Sequence, residues 1–216
     1  KLKFLFQIIT AKIIIDQGFI INNLHGVLGL FELSSVLAQV LTIFIIVSII
    51  NSINFIDGID GLALAVLSIF IISFEFFSKD YFEFDNLSLI ILVSSLPLWY
   101  FNFKKNKKIF LGDAGSLMIG TIISIYTITI LSNQYIIQPE YDLHKILFVF
   151  SILFYPIIDI IRVFFLRIYK GKSPFIADKN HIHHILLNKF EKHSYVVMFI
   201  MSSTLFIIIL FQVLFN

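Results

Sequence analysis

Long, nearly uninterrupted apolar runs recur from one end of the chain to the other, and they leave few architectures open. A hydrocarbon core about 30 Å thick is crossed by about 20 apolar residues in helix, fewer where flanking side chains snorkel. Seven stretches of the 216-residue chain meet this criterion: 3 to 21, 36 to 53, 62 to 77, 87 to 101, 115 to 133, 145 to 166 and 195 to 215. Composition agrees, with charged residues at 14%, about half the usual soluble share, and a mean hydropathy of +0.95. Lipid offers no partners to backbone N–H and C=O groups, so such segments must be helices. The fold expected is an all-α integral membrane protein, a bundle of about seven transmembrane helices forming a single polytopic domain over residues 1–216. The first stretch is the weakest, because Lys12 and Asp16 interrupt it; spaced i, i+4, they can satisfy each other. No repeat of 20 to 50 residues is present, so a solenoid is not indicated.

Charge placement orients the bundle. Lys1 and Lys3, then Lys104, Lys105, Lys107 and Lys108, then Arg167, Lys170, Lys172, Lys179, Lys189 and Lys192 fall on one side. The other side holds Lys79 among Asp80, Glu83 and Asp85, and Lys145 after Glu140 and Asp142. By the positive-inside rule the basic side is cytoplasmic. A net charge of +2 is too small to signal a nucleic-acid partner. With no cysteine there is no disulfide framework, cysteine zinc site or thiol nucleophile. Leu2 to Ile15 lacks a small-residue cleavage site and does not read as a signal peptide; the Lys start points to a true start upstream.

Three constellations fall on the cytoplasmic side. The first, Asn51-Ser-Ile-Asn54-Phe-Ile-Asp57-Gly58-Ile59-Asp60-Gly61, is the one cytoplasmic junction without Lys or Arg. Polar groups three residues apart share one side of a helix end, and the glycines allow positive φ or close approach to a ligand. Carboxylates facing an anionic leaflet are explained by a cation, and hard oxygen donors suit Mg²⁺ or Mn²⁺. The competing reading is a turn made of common turn formers. The second, Phe110-Leu-Gly112-Asp113-Ala-Gly115-Ser116, starts a helix where the macrodipole favours an anion and free N–H groups can meet a phosphate; a simple capping Asp is the alternative. The third, Asp178-Lys179-Asn180-His181-Ile182-His183-His184, invites a zinc reading. The basic neighbours oppose a second cation, and imidazoles donating to phosphate or sugar oxygens fit better; an unspecific loop is the third option. Asp159 and Arg162 form an i, i+3 pair at membrane depth, a functional hypothesis by default and equally a structural ion pair. His25, His144 and His193 receive no role. Together the constellations describe a pocket in which a diphosphate is neutralised during phosphoryl transfer.

The runs NSINFIDGIDGL, FLGDAGS and DKNHIHHILL, in this order and at these separations, resemble the polyprenyl-phosphate N-acetylhexosamine-1-phosphate transferases. The resemblance implies Mg²⁺-dependent transfer of a sugar 1-phosphate from a UDP-sugar to undecaprenyl phosphate, with release of UMP. It places the protein in a bacterial inner membrane, among membrane lipids and compatible with a homodimer, at the start of cell-wall polymer or surface lipopolysaccharide synthesis. It makes Asp113 the Mg²⁺ ligand, with Asp57 also on the metal and Asn54 beside it, these three forming the catalytic set. It lines the uridine pocket with Gly58, Ile59 and Asp60 and stacks Phe110 on uracil. It puts His181, His183 and His184 near the sugar phosphate and Lys3 at the lipid-phosphate entrance. The His-x-His-His spacing favours UDP-GlcNAc. Family members have ten or eleven helices and an adjacent Asp-Asp pair that this chain lacks, so the expectation is the later part of a longer transferase. An inactive binding or scaffold relative is the alternative. A transporter with Lys12, Asp16, Asp159 and Arg162 along an ion path is disfavoured, because the polar groups gather at one end of the helices and no inverted repeat is evident.

Overall fold

A computed structural model describes residues 2–77, 84–104, 106–132, 143–171, 173 and 180–214. Nine α-helices are described: α1 (Leu2–Asp16), α2 (Ser35–Ile56), α3 (Leu62–Phe77), α4 (Asp85–Phe103), α5 (Gly112–Ser132), α6 (Leu143–Ile152), α7 (Phe154–Tyr169), α8 (Ile182–Phe190) and α9 (His193–Leu214). Between α1 and α2 the chain makes a 3₁₀ turn, Val27–Gly29, and a single antiparallel bridge between Asn23 and Glu32. Lys1, Lys79, Asp80, Glu83, Lys105, Glu140, Asp142, Lys172, Asp178 and Lys179 lie outside the described residues, as do the side chains of Asp85 and His144.

A helix stands at each of the seven expected places, but seven full crossings do not. The spans α2, Asn86–Phe103 within α4, α5 and His193–Gln212 within α9 are long and apolar enough to cross a bilayer. A fifth is made by α6 and α7 if their 74° bend is counted as one broken span. The break has a local cause. Pro156 has no N–H to give to the Ile152 carbonyl, and its ring crowds that carbonyl, so the helix ends at Ile152 and restarts after Leu153. α1 has 15 residues and α3 has 16, short of a full crossing. Lys12 and Asp16 do bond each other on the exposed side of α1. Lys145, counted above with the sparse second side, is instead fully buried in α6. The basic loop before α9 contains a helix, α8, whose Ile182, Leu186 and Leu187 pack onto the core.

Large apolar side chains such as Leu37, Val40 and Phe44 of α2 point away from the protein, as expected of surfaces that face lipid tails. The interior is held by close approach of backbones. Ser116, Gly120 and Ser124 repeat every four residues along the buried face of α5. A Cβ at Gly120 would lie 2.7 Å from the Ile50 Cα, so only glycine lets α5 lie this close to α2. Ser124 Oγ donates to the Gly120 carbonyl at 2.7 Å instead of standing unpaired in the contact. At the other end of the bundle, Phe74, Phe84 and Tyr126 cluster with ring centroids 4.6 to 6.2 Å apart, and the Tyr126 hydroxyl meets Ser88 Oγ at 2.8 Å. His25 Nε2 reaches the Leu131 carbonyl there at 3.0 Å. The chain therefore runs up and down, bringing the start of α1, the end of α2, the end of α4, the start of α5 and α8 together at one end.

Candidate functional site

That shared end begins with a ladder between two helices. Lys3 and Gln7 lie one turn apart on α1, and Asn54 and Asn51 nearly one turn apart on α2. Gln7 and Asn51 exchange amide hydrogen bonds, Gln7 Nε2 to Asn51 Oδ1 at 3.2 Å and Asn51 Nδ2 to Gln7 Oε1 at 2.9 Å. One step nearer the end, Lys3 Nζ donates to Asn54 Oδ1 at 2.8 Å. The other end of the Asn54 amide faces α5, where Nδ2 lies 2.9 Å from Asp113 Oδ1 and 2.8 Å from Ser116 Oγ. Lys3 Nζ closes the circuit 3.1 Å from Asp113 Oδ2. Asn54 thus fixes an acidic and a basic group from two different helices, which a side chain with one acceptor and two donor hydrogens is suited to do.

Asp57 caps the end of α2 and makes no hydrogen bond or ion pair among the described residues. Its carboxyl is pushed up to about 6, first by burial and then by the charges of Asp113 and Asp60. Three carboxylates thus converge with one of them uncompensated, an arrangement that a divalent cation would relieve. The oxygen donors of Asp57 and Asp113 fit a hard ion such as Mg²⁺.

The turn after Asp57 is clamped from two sides. Gly61 has φ +76°, and a Cβ there would fall 2.3 Å from the Phe103 ring, so both conformation and space require glycine. Its N–H donates to Asn102 Oδ1 at 2.5 Å, and Asn102 Nδ2 donates to the Ile109 carbonyl at 2.8 Å, tying the turn to the α4–α5 loop. Ile59 is buried under the turn. Asp60 pairs with Lys108 at 2.5 Å, and Lys108 Nζ also sits 4.8 Å from the centre of the exposed Phe110 ring. His193 Nδ1 accepts the Asp60 backbone N–H at 3.0 Å and lies 2.9 Å from Asp60 Oδ2. Asp60, Lys108 and Phe110 therefore form one connected wall, separate from the Lys3–Asn54–Asp113 circuit.

The histidine helix closes the third side. A Cβ on Gly58 would lie 3.5 Å from both His183 Nε2 and His184 Cε1, so the acidic turn packs close against the histidines at this position. His183 is fully buried, its Nδ1 2.9 Å from the Tyr155 hydroxyl, and its Nε2 has no partner among the described residues. Burial first, and then the neighbouring His184, lowers its pKa to about 3, so it works as a neutral ring. His181 bonds through Nδ1 to Asp159 at 2.6 Å and packs 5.8 Å from the Phe55 ring. Asp159, His181 and His183 have donor atoms within 4.8 Å of one another, the separation expected of a metal site. Both oxygens of Asp159 are already bonded, to His181 and to the Ile182 N–H at 2.7 Å, and Arg162 lies 3.6 Å away. A hydrogen-bonded cluster accounts for these contacts without an ion.

The residues read from sequence are thus gathered at one end: Lys3, Asn54, Asp57 and Asp113 on one side, Asp60 and Phe110 on another, and the three histidines opposite Gly58. Missed were Asn102, Tyr155 and His193, which carry no motif, and the role of Ser116, which stood in the second run without one. Lys108 was visible only as one of several basic anchors.

An all-helical, multi-pass membrane protein with a polar, acid-rich site at one end of its bundle is the class that fold and site define. The chain belongs to glycosyl transferase family 4, whose family model matches residues 1–131. It is 37% identical over 190 residues to the undecaprenyl-phosphate alpha-N-acetylglucosaminyl 1-phosphate transferase of Haemophilus influenzae, covering 84% of this chain and 52% of that protein. It is 33% identical over 119 residues to the decaprenyl-phosphate N-acetylglucosaminephosphotransferase of Mycobacterium leprae, 53% of this chain and 30% of that protein. The Escherichia coli K12 enzyme with the first of these names is 37% identical over 81 residues, 37% of this chain and 20% of its own length. The chain spans about half the length of the Haemophilus protein and less of the others.

Proposed function

We propose that the protein to which this chain belongs transfers a sugar 1-phosphate, GlcNAc-1-phosphate by the names of its relatives, from a UDP-sugar to a polyprenyl phosphate with release of UMP. The observation that carries this reading is the Lys3–Asn54–Asp113 circuit beside the unpaired carboxylate of Asp57. It concentrates charged and metal-binding groups where a phosphate acceptor and a diphosphate donor would have to meet. The site end also carries the described basic residues Lys104, Lys107, Lys108, Arg167, Lys170, Lys189 and Lys192, which supports a cytoplasmic orientation in a bacterial inner membrane. The product would start a cell-wall or surface polysaccharide.

Asp113 and Asp57 would hold Mg²⁺, which when bound offsets the negative charge of the diphosphate. Lys3, anchored by Asn54, binds the phosphate of the lipid acceptor as a point charge. Phe110 offers an exposed aromatic face to uracil, with Asp60 and Lys108 fixing the height of that wall. His184, beside the buried neutral ring of His183, lines the sugar-phosphate side next to Gly58.

The test is UMP release by the protein from its complete reading frame, in membranes supplied with UDP-GlcNAc, undecaprenyl phosphate and Mg²⁺. Asp113→Asn is expected to abolish release. Near-normal turnover in that variant would overturn the metal assignment, and UDP-GlcNAc binding without any release by the unaltered protein would favour a binding role.

A further inference from the structure

One buried carboxylate is left over by the proposed chemistry. Asp159 of α7 is fully buried and faces the start of α8. Its Oδ1 accepts the N–H of Ile182, the first residue of α8, which no turn of the helix can satisfy. Its Oδ2 lies 2.6 Å from His181 Nδ1. His181 is the N-cap of α8, extended at φ −62° and ψ 147°, and its own side chain caps nothing; Asp159 performs that task in its place. An ionised carboxylate only accepts. With one oxygen held by Ile182 and Arg162 beside it, the other requires the imidazole proton on Nδ1. His181 is buried as a whole, but its Nε2 has no hydrogen-bond partner among the described residues and is not one of their fully enclosed unpartnered polar atoms, so that atom keeps some exposure. The ring is held flat by stacking on His183, centroids 5.3 Å apart and 14° between planes, with Phe55 alongside.

We propose that Asp159 is a positioning residue: it fixes His181 with its proton on Nδ1 and thereby presents the unprotonated Nε2, a hydrogen-bond acceptor, to a hydroxyl of the bound substrates. This rests on the transferase reading above and sharpens it, by separating one working histidine, His181, from His183, whose Nδ1 is taken by Tyr155 and whose Nε2 is enclosed. The ligand is a hydroxyl that donates to Nε2, either one on the sugar of the nucleotide sugar or the P–OH of a singly protonated lipid phosphate.

The experiment uses the complete protein in lipid nanodiscs. Side-chain ¹⁵N NMR of labelled histidine, assigned by loss of the signal in His181→Asn, should show His181 protonated at Nδ1 in the unaltered protein. Asp159→Asn must keep its oxygen on Ile182 and turn its NH₂ toward His181, moving the ring proton to Nε2. Turnover should fall by about 10²-fold or more, the scale of a displaced proton-handling group. His181→Asn keeps a donor where Nδ1 stood but has nothing at Nε2, and should lose turnover to a similar extent. Adding Asp159→Asn to His181→Asn should cost little more, because Asp159 acts through His181. In His181→Asn, a raised KM for UDP-GlcNAc assigns Nε2 to the nucleotide sugar, and a raised KM for undecaprenyl phosphate assigns it to the lipid. Losses that multiply in the double variant, or a His181 proton found on Nε2 in the unaltered protein, would overturn the inference. The NMR result stands independently of turnover, so failure of the transferase reading is separately visible as absence of UMP release by the unaltered protein.

Discussion

Replacing Gly120 by alanine should damage a site that it does not touch. The new Cβ would stand 2.7 Å from the Ile50 Cα, and ordinary contact begins at 3.4 Å, so α2 and α5 must part by about 0.7 Å. Side-chain rotation cannot relieve the clash, because the neighbour is backbone. Overpacking of this kind costs about 1–3 kcal/mol, or a fall in Tm of about 2–12 °C for a chain of this size. The same displacement carried along α5 stretches the Asn54–Asp113 bond from 2.9 Å to about 3.6 Å, beyond hydrogen-bonding range. Loss of about 1.4 kcal/mol of positioning corresponds to a tenfold drop in kcat/KM. Both effects are measured on one preparation, by thermal unfolding in detergent and by Mg²⁺-dependent UMP release. Trimming Ile50 to alanine in the Gly120→Ala background should rescue neither. A Gly120→Ala protein with unchanged Tm and unchanged turnover would refute the argument that this helix contact sets the site.

Asp57 should make stability depend on pH and on metal. Its pKa is raised to about 6 from an ordinary 3.8, so its contribution is full below 3.8 and is lost as pH rises through 6. Without metal, Tm should fall across pH 4–6 and level off above; Mg²⁺ should flatten that fall, and Asp57→Asn should remove it. A metal-free protein whose Tm is unaffected by Asp57→Asn at every pH in this range would contradict the assignment. Gly58→Ala meets only ordinary contacts at 3.5 Å and should leave Tm unchanged while raising KM, whereas Gly61→Ala is strained at φ +76° and strikes Phe103, and should cost about 1–3 kcal/mol. Equal Tm values for the two variants would count against the turn geometry. Lys3→Met removes an ammonium that competes for Asp113 and should tighten Mg²⁺ binding about two- to fivefold by calorimetry, the scale of an exposed ion pair; weaker binding would show that Lys3 supports the metal instead.

The apolar runs located every helix except α8, because hydropathy reports burial in lipid and α8 is short, with histidines breaking its apolar pattern. Hydropathy could not see the break at Leu153, which depends on one proline in an otherwise continuous apolar segment. The Asn/Asp/Gly spacing correctly marked the end of α2 as polar and ordered. It could not show that Asn51 and Asn54 face α1 and α5, since partners lie up to 62 residues away. Asp159 and Arg162 stood out as charges at membrane depth, and the ion pair is there, but the stronger partner of Asp159 is His181. His193 looked isolated because its meaning comes from Asp60, 133 residues earlier.

The Lys3–Asn54–Asp113 circuit also imposes an order on biosynthesis. Helices leave the ribosome one after another, so Lys3 and Asn54 can meet as soon as α2 is in place, while their acidic partner arrives only with α5. The histidine wall comes later still, when the chain has grown past His184. A nascent chain halted between those points would already hold the lysine and the carboxylates together and would be open on the side that His181, His183 and His184 later cover. Arrest-sequence force profiles along translation should therefore show two separate pulls, one as α5 docks on α2 and one as α8 folds over Gly58.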